Sequence, residues 1–291
     1  MCRAKGIEVV FGRGVEGIRE VRDWVELRFG DGEVVNATVL LGCDGIHSAT
    51  RKLLVEPDRK PKYTGVAVAM SCINLRTHTR IPWQTTALIT SRRRSFMASY
   101  FDSSKKQQYI AAVMETEEVG DKEGWRVKGA AQETIKKDIQ ERFHSPAMPE
   151  IGEMITDAQE WNLYPVYALP PRGKWISPGK KCILLGDAVH AMPPQGESTG
   201  ICIEDSIAFA HMFNTHLPDG LERVFDAYEQ LRREPVEAAY QTAALRWENV
   251  KDCGWLTYKM RVWMTPWFLW WTANAREAEF AEDLVRSLKS D

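Results

Sequence analysis

Apolar residues in this chain keep two rhythms. Cys182-Ile183-Leu184-Leu185 is a short continuous apolar run of the kind that makes a fully buried strand, and Gly186 ends it directly before Asp187. After two prolines and two glycines, Ile201, Ile203, Ile207 and Ala210 recur at helical spacing, with Glu204 and Asp205 placed in the first turn. The unit reads strand, acid, rigid loop, helix. Upstream, residues 37–42 form a second continuous run that ends in Cys43-Asp44-Gly45, so again a strand delivers an acid. Before it, residues 7–11 are β-rich. Residues 24–29 alternate, break at Gly30-Asp31-Gly32 and resume at Glu33-Val34-Val35, which predicts a hairpin.

From residue 63 to about 168 the texture changes. Strand-like runs at 65–73, 86–90, 96–101 and 108–114 alternate with polar turns and predict an antiparallel sheet. The segment 130–143 predicts a helix with Ile135, Ile139 and Phe143 on one face, and 161–167 returns as a strand. Residues 221–247 predict a long helix carrying Val224, Tyr228, Leu231, Val236 and Tyr240, and 275–288 a last, charged one. Between these two lies the aromatic segment 255–271, interrupted by Pro266 and too short to span a bilayer. It is read as packed on the body, as lining a pocket or dimer interface, or as lying in a membrane interface.

Composition narrows the picture only in places. A net charge of −2 supplies no electrostatic case for nucleic acid. The six cysteines stand without CxxC or Cys/His pairs at metal spacing, so they read as reduced thiols of a cytoplasmic protein and no metal site is expected. Residues 1–7 show no signal-peptide pattern. No stretch reaches the roughly 18–20 apolar residues of a membrane span, so membrane association is not expected.

A buried strand that hands a carboxylate to the open N–H groups of a helix start can hold a polyhydroxylated or anionic ligand. It can equally be an ordinary βα connection. Ser48 can cap the helix after Asp44-Gly45, and Arg51, one turn in, stands where a phosphate would be met. Arg92-Arg93-Arg94 reads as a solvated hairpin turn, with contact to phosphates of a bound ligand as its alternative, and Met97, Tyr100, Tyr109 and Met114 as core or as a hydrophobic pocket lining.

Taken together, Gly186-Asp187-Ala188-Val189-His190, Pro194, Gly196, Gly200, Glu204 and Asp205 resemble the second flavin motif of the aromatic-hydroxylase family of FAD-dependent monooxygenases. Asp44-Gly45, Ser48 and Arg51 resemble the family's preceding motif, in the right order. One departure is Ser198, where the family carries a glycine. The resemblance implies an α/β (α+β) architecture, an incomplete FAD-binding α/β domain with an inserted antiparallel-sheet substrate domain and a C-terminal helical region. Its boundaries fall at 1–61, 62–170, 171–216 and 217–291. It implies FAD as cofactor and NAD(P)H as reductant, with Asp44, Gly45, Arg51, Gly186, Asp187, Pro194, Gly196 and Gly200 at the cofactor. Asp187 would bond the ribityl chain. No residue is assigned as catalytic acid or base, and His47 and His190 read as structural.

The implied reaction is hydroxylation or epoxidation of a hydrophobic aromatic, polyketide or terpenoid molecule with O2, in secondary metabolism, and a homodimer is left open. The family opens with a G-x-G-x-x-G unit, and Gly12, Gly14 and Gly17 do not form one. The expectation is therefore an N-terminally truncated product or a shortened relative that holds FAD weakly. Its alternative roles are a non-redox cyclase or isomerase step, or a non-catalytic one.

Overall fold

A computed structural model describes residues 3–75, 81–92, 94–120, 122–145, 148–194, 198–248 and 252–281. Strands β1 (Val15–Glu20), β2 (Val25–Phe29) and β3 (Val34–Ala37) form an antiparallel meander, followed by β4 (Leu40–Gly42). Then come β5 (Lys62–Asn74), β6 (Thr86–Ser91), β7 (Arg94–Tyr100) and β8 (Gln107–Glu115). Helices α1 (Lys122–Ala130), α2 (Gln132–Phe143) and α3 (Pro149–Asp157) lead to β9 (Asn162–Ala168) and β10 (Cys182–Leu184). The chain ends in α4 (Asp187–His190), α5 (Ser198–His216), α6 (Leu221–Glu248) and α7 (Trp255–Ala281). It divides into two compact units, Met1–Lys62 with Tyr167–Ala244 and Tyr63–Val166 with Leu245–Glu282.

In the first unit the predicted hairpin forms, with Leu27 opposite Val35 and Arg28 opposite Val34. Its turn closes because Gly32 takes φ +85° and the Asp31 carboxylate accepts the Glu33 N–H at 3.0 Å. The run 7–11 makes no strand. Its side chains Ile7, Val10 and Phe11 stand exposed with no strand paired to them among the described residues. β10 pairs in parallel with β4, Cys182 opposite Leu40 and Leu184 opposite Gly42, and all three of its residues are fully buried. They join Val189, Phe209, Val224, Phe225 and Tyr228 in one core.

The helix α5 turns a different face inward from the one its isoleucines predict. Ile203 and Ile207 are exposed, whereas Asp205, Ala208 and Phe209 are buried and Ile201 and Met212 pack beside them. An acid stands in the middle of the buried stripe, and that breaks the apolar periodicity.

The second unit is built on a five-stranded sheet ordered β6-β7-β8-β5-β9. Helices α2 and α3 cover one face, with Ile135, Ile139, Phe143, Ile151 and Ile155 packed on Phe96, Ile110 and Met114. The opposite face carries Val66, Val68, Ala111 and Val166, with Met70, Met97, Tyr109 and Val113 partly buried and Trp247 packed among them. Strand alternation thus separates the four candidate pocket residues. Met114 is core under the helices, Tyr100 follows the parity of Phe96 and Ala98, and Met97 and Tyr109 point to the other face. Of the arginine triplet, residue 93 lies outside the described residues. Ser91 pairs with Arg94 across it, so the predicted hairpin turn is present.

The aromatic segment belongs to α7. Packing on the body, the first of its three readings, does not hold for its tryptophans, because Trp255, Trp263, Trp267, Trp270 and Trp271 are between 59% and 77% exposed. No helix among the described residues is long and apolar enough to cross a membrane.

The parallel pair tolerates no extra atom at its centre. A Cβ on Gly42 would lie 2.6 Å from Leu184 Cδ2 and 2.9 Å from Thr50 Cγ2. Gly42→Ala is expected to destabilise the first unit by about 1–3 kcal/mol, the usual range for overpacking. Urea unfolding followed by tryptophan fluorescence measures it.

Candidate functional site

Because β4 and β10 run parallel and in register, their C-terminal ends open on the same edge, where α/β sheets bind ligands. The loop after β4 brings Asp44, Gly45 and Arg51 there, and the loop after β10 brings Gly186 and Asp187. The two acids are held differently. Asp44 Oδ1 accepts the Ser48 hydroxyl at 2.5 Å, while Oδ2 accepts the Thr50 N–H and hydroxyl at 3.0 and 3.1 Å. Its exposed carboxylate shapes its own loop through these three bonds. Ser48 Oγ in turn accepts the Arg51 N–H at 2.9 Å, which is the predicted cap.

The half-buried carboxylate of Asp187 has neither a hydrogen-bond nor an ion-pair partner among the described residues. It stands as an unspent acceptor at the sheet edge. The preceding Gly186 takes φ +59° and ψ −145°, a conformation that side chains rarely adopt, and a Cβ there would meet Cys202 Sγ at 3.0 Å. Only glycine fits this turn.

Arg51 departs from the phosphate role expected of it. The side chain is completely buried and gives its guanidinium to three carbonyls, Arg59 O at 3.3 Å, Ala188 O at 2.5 Å and Ile46 O at 2.5 Å. Burial pulls its pKa below the ordinary value against the opposing charge of Asp44. The reason is geometric: the first turn after Ser48 points residue 51 inward, where it ties the two acid-bearing loops together. Pro194 is exposed in the loop before α5, and Gly200 lies in the first turn of α5 with open space around it. Gly196 lies outside the described residues.

Beneath the edge sits a buried ionic cluster that sequence reading did not assemble. Asp205, 1% exposed, accepts the Gly186 N–H at 3.1 Å, meets His190 Nε2 at 2.6 Å and accepts from Arg232 Nε at 2.9 Å. Arg232 reaches on to Glu204 at 3.0 Å. Trp175 covers the cluster, its ring 5.9 Å from that of His190 and 5.7 Å from that of Tyr228. His190 therefore serves structure, and His47 stands edge-on to Tyr167 at 6.0 Å. The sequence signal for the cluster was an acid, Asp205, at a position whose neighbours one helical turn away are buried. No group of ligating side chains suited to a metal occurs among the described residues, and the five described cysteines form no disulfide.

The edge of the parallel strand pair thus presents a free carboxylate beside a glycine-only turn. The chain belongs to the FAD binding domain family, whose model matches residues 2–243. It is 25% identical over 242 residues to hispidin-3-hydroxylase of Neonothopanus nambi, covering 74% of this chain and 54% of that protein. It is 27% identical over 229 residues to 6-hydroxynicotinate 3-monooxygenase of Bordetella bronchiseptica, covering 77% and 56%. The chain thus spans about half the length of these curated relatives. Among solved structures it resembles the FAD and uric acid complex of Klebsiella pneumoniae HpxO, with a TM-score of 0.69, 18% identity, and coverage of 96% of this chain and 65% of that one. A salicylate hydroxylase substrate complex gives the same TM-score at 18% identity, with 96% and 70% covered. These likenesses establish the mixed α/β fold.

The cluster yields a pH dependence. Burial pushes the Asp205 carboxyl up, but the hydrogen bond and charge of His190 and the Arg232 guanidinium outweigh it, so its pKa lies below the ordinary 3.8. A folded-state pKa below the unfolded one stabilises fully above the unfolded value of about 3.9, and the gain disappears as pH falls through the lower folded value. Asp205→Asn is expected to destabilise by a few kcal/mol at neutral pH, on the order of 2–4, because it removes the buried one of Arg232's two counter-charges and leaves only Glu204. It should also flatten the acid limb of the stability curve. Urea titrations at stepped pH values report both.

Proposed function

We propose that this chain is the core of an FAD-dependent monooxygenase acting on a hydrophobic aromatic, polyketide or terpenoid substrate, with NAD(P)H as reductant. The observation that carries the reading is the unpartnered Asp187 carboxylate beside Gly186 at the carboxyl edge of β10. A polyol chain offers the hydroxyl donors that such a carboxylate lacks, and the glycine-only turn at Gly186, packed against Cys202 Sγ, fixes the direction in which that carboxylate points. The residues present therefore fit the ribityl part of FAD. When bound, FAD supplies the redox chemistry that activates O2 for insertion of one oxygen atom into an electron-rich ring or an alkene.

The chain's own residues position and shield. In this reading Asp187 orients the cofactor through its hydroxyls, and Gly45, Gly186, Pro194 and Gly200 line its path. Asp44 and Arg51 act one step back. Asp44 holds the 44–50 loop closed, and Arg51 fixes that loop to Ala188 O in α4. In the second unit the sheet face with Met70, Met97, Tyr109 and Val113 offers an apolar surface suited to a substrate of this class. Burial pushes the Tyr109 phenol up, so that it stays protonated and can donate a hydrogen bond. The free thiols suit a cytoplasmic setting.

The test separates the two acids. Titrating purified protein with FAD, Asp187→Ala should lower affinity about tenfold or more, the loss of a hydrogen-bonded acceptor, with the melting temperature unchanged. Asp44→Ala should do the reverse, lowering the melting temperature first because three local bonds are lost. Equal FAD affinity in Asp187→Ala and the parent would remove the assignment. Retention of an apolar ligand with no flavin absorbance would favour the non-redox alternative.

A further inference from the structure

The helix α7 carries five of the chain's eleven tryptophans within seventeen residues. At 3.6 residues per turn, Trp255, Trp263, Trp267, Trp270 and Trp271 all fall within about half of the helix circumference. Leu256 and Met260 extend that stripe, 66% and 56% exposed. The other side holds the contact with the second unit. Tyr258 donates its hydroxyl to Thr90 O at 3.3 Å, and just before the helix the Cys253 N–H bonds Arg92 O at 3.1 Å. The tryptophan face thus points away from the sheet it is attached to. An apolar face of this size needs cover.

Three features identify the cover. The tryptophan-bearing part of α7, residues 255–271, contains Lys259 and Arg261 and no acid, and the acids of the helix, Glu277 and Glu279, come only in its last turns beside Arg276. Tryptophan, amphipathic and flat, is the side chain enriched where hydrocarbon meets water. The arc it occupies is broader than a coiled-coil seam, and no acid stands beside it to pair with a second copy's cations. We propose that α7 is an interfacial anchor that lays its tryptophan face on an anionic lipid surface, parallel to the membrane plane. This agrees with the finding that no described helix crosses a membrane.

Flotation of the 291-residue chain with lipid vesicles tests the proposal. The chain should float with mixed phosphatidylcholine and phosphatidylserine vesicles, less with phosphatidylcholine alone, and less again in high salt. The triple variant Trp263→Ser, Trp267→Ser, Trp270→Ser should lower partitioning by about tenfold or more. Its far-ultraviolet circular dichroism and melting temperature should stay unchanged, since these side chains are exposed. Lys259→Gln with Arg261→Gln should weaken binding to the anionic vesicles only. Absence of flotation, or equal flotation of the triple variant, overturns the proposal. So does a concentration-dependent dimer that the triple variant abolishes without any vesicle binding, which would assign the face to a second copy of this chain.

Discussion

A carboxylate taken almost completely out of water has to be matched bond for bond, and Asp205 is where this fold accepts that constraint. The cost of burying the charge is offset by a guanidinium, an imidazole and a backbone N–H arriving from three directions. Each partner belongs to a different segment: Arg232 to α6, His190 to α4, Gly186 to the turn after β10. One oxygen pair therefore sets the spacing of two long helices and the exit of a central strand. The strained glycine turn is held by the same atoms, and so, through it, is the direction of Asp187.

The upstream loop is fastened by complementary means. Asp44 satisfies three donors of its own loop, and Arg51 spends its guanidinium on carbonyls, including that of Ala188 in α4. Two loops far apart in sequence become one rigid edge without any ion pair between them. Of the two acids on that edge, one stiffens the loop and the other is left free. That division of labour depends on which carboxylate has local donors within reach, not on which residue is acidic.

Much of this was legible beforehand. Continuous apolar runs ending in Gly-Asp or Cys-Asp identified β4 and β10, and i, i+4 spacing found the buried face of α2 through Ile135, Ile139 and Phe143. Ser48 as a cap followed from local chemistry alone. What failed did so for identifiable reasons. The inward face of α5 was misread because a buried Asp takes the place of an apolar residue, and hydrophobic periodicity cannot register it. Arg51 was misread because residue type announces charge but not the direction of a side chain one turn into a helix. The cluster of Asp205 with Arg232 joins residues 27 apart through tertiary packing, which no spacing rule reaches.

The parallel pairing of β4 with β10 also has a consequence for the order in which the molecule assembles. Cys182 must find Leu40 across the whole intervening chain. Closing a loop of about 140 residues costs about 4 kcal/mol of chain entropy before any contact rewards it. The inserted sheet shortens that search: β5 and β9 are neighbours in it, and Thr64 Oγ1 bonds Val166 O at 2.9 Å, so the entry and exit of the insert are clasped together. With the insert folded first, the span left to close falls to a few tens of residues and the entropic cost drops by about 1 kcal/mol. On that order of assembly the carboxyl edge that carries Asp44 and Asp187 forms late, on a clasp made by a part of the chain that contributes neither residue.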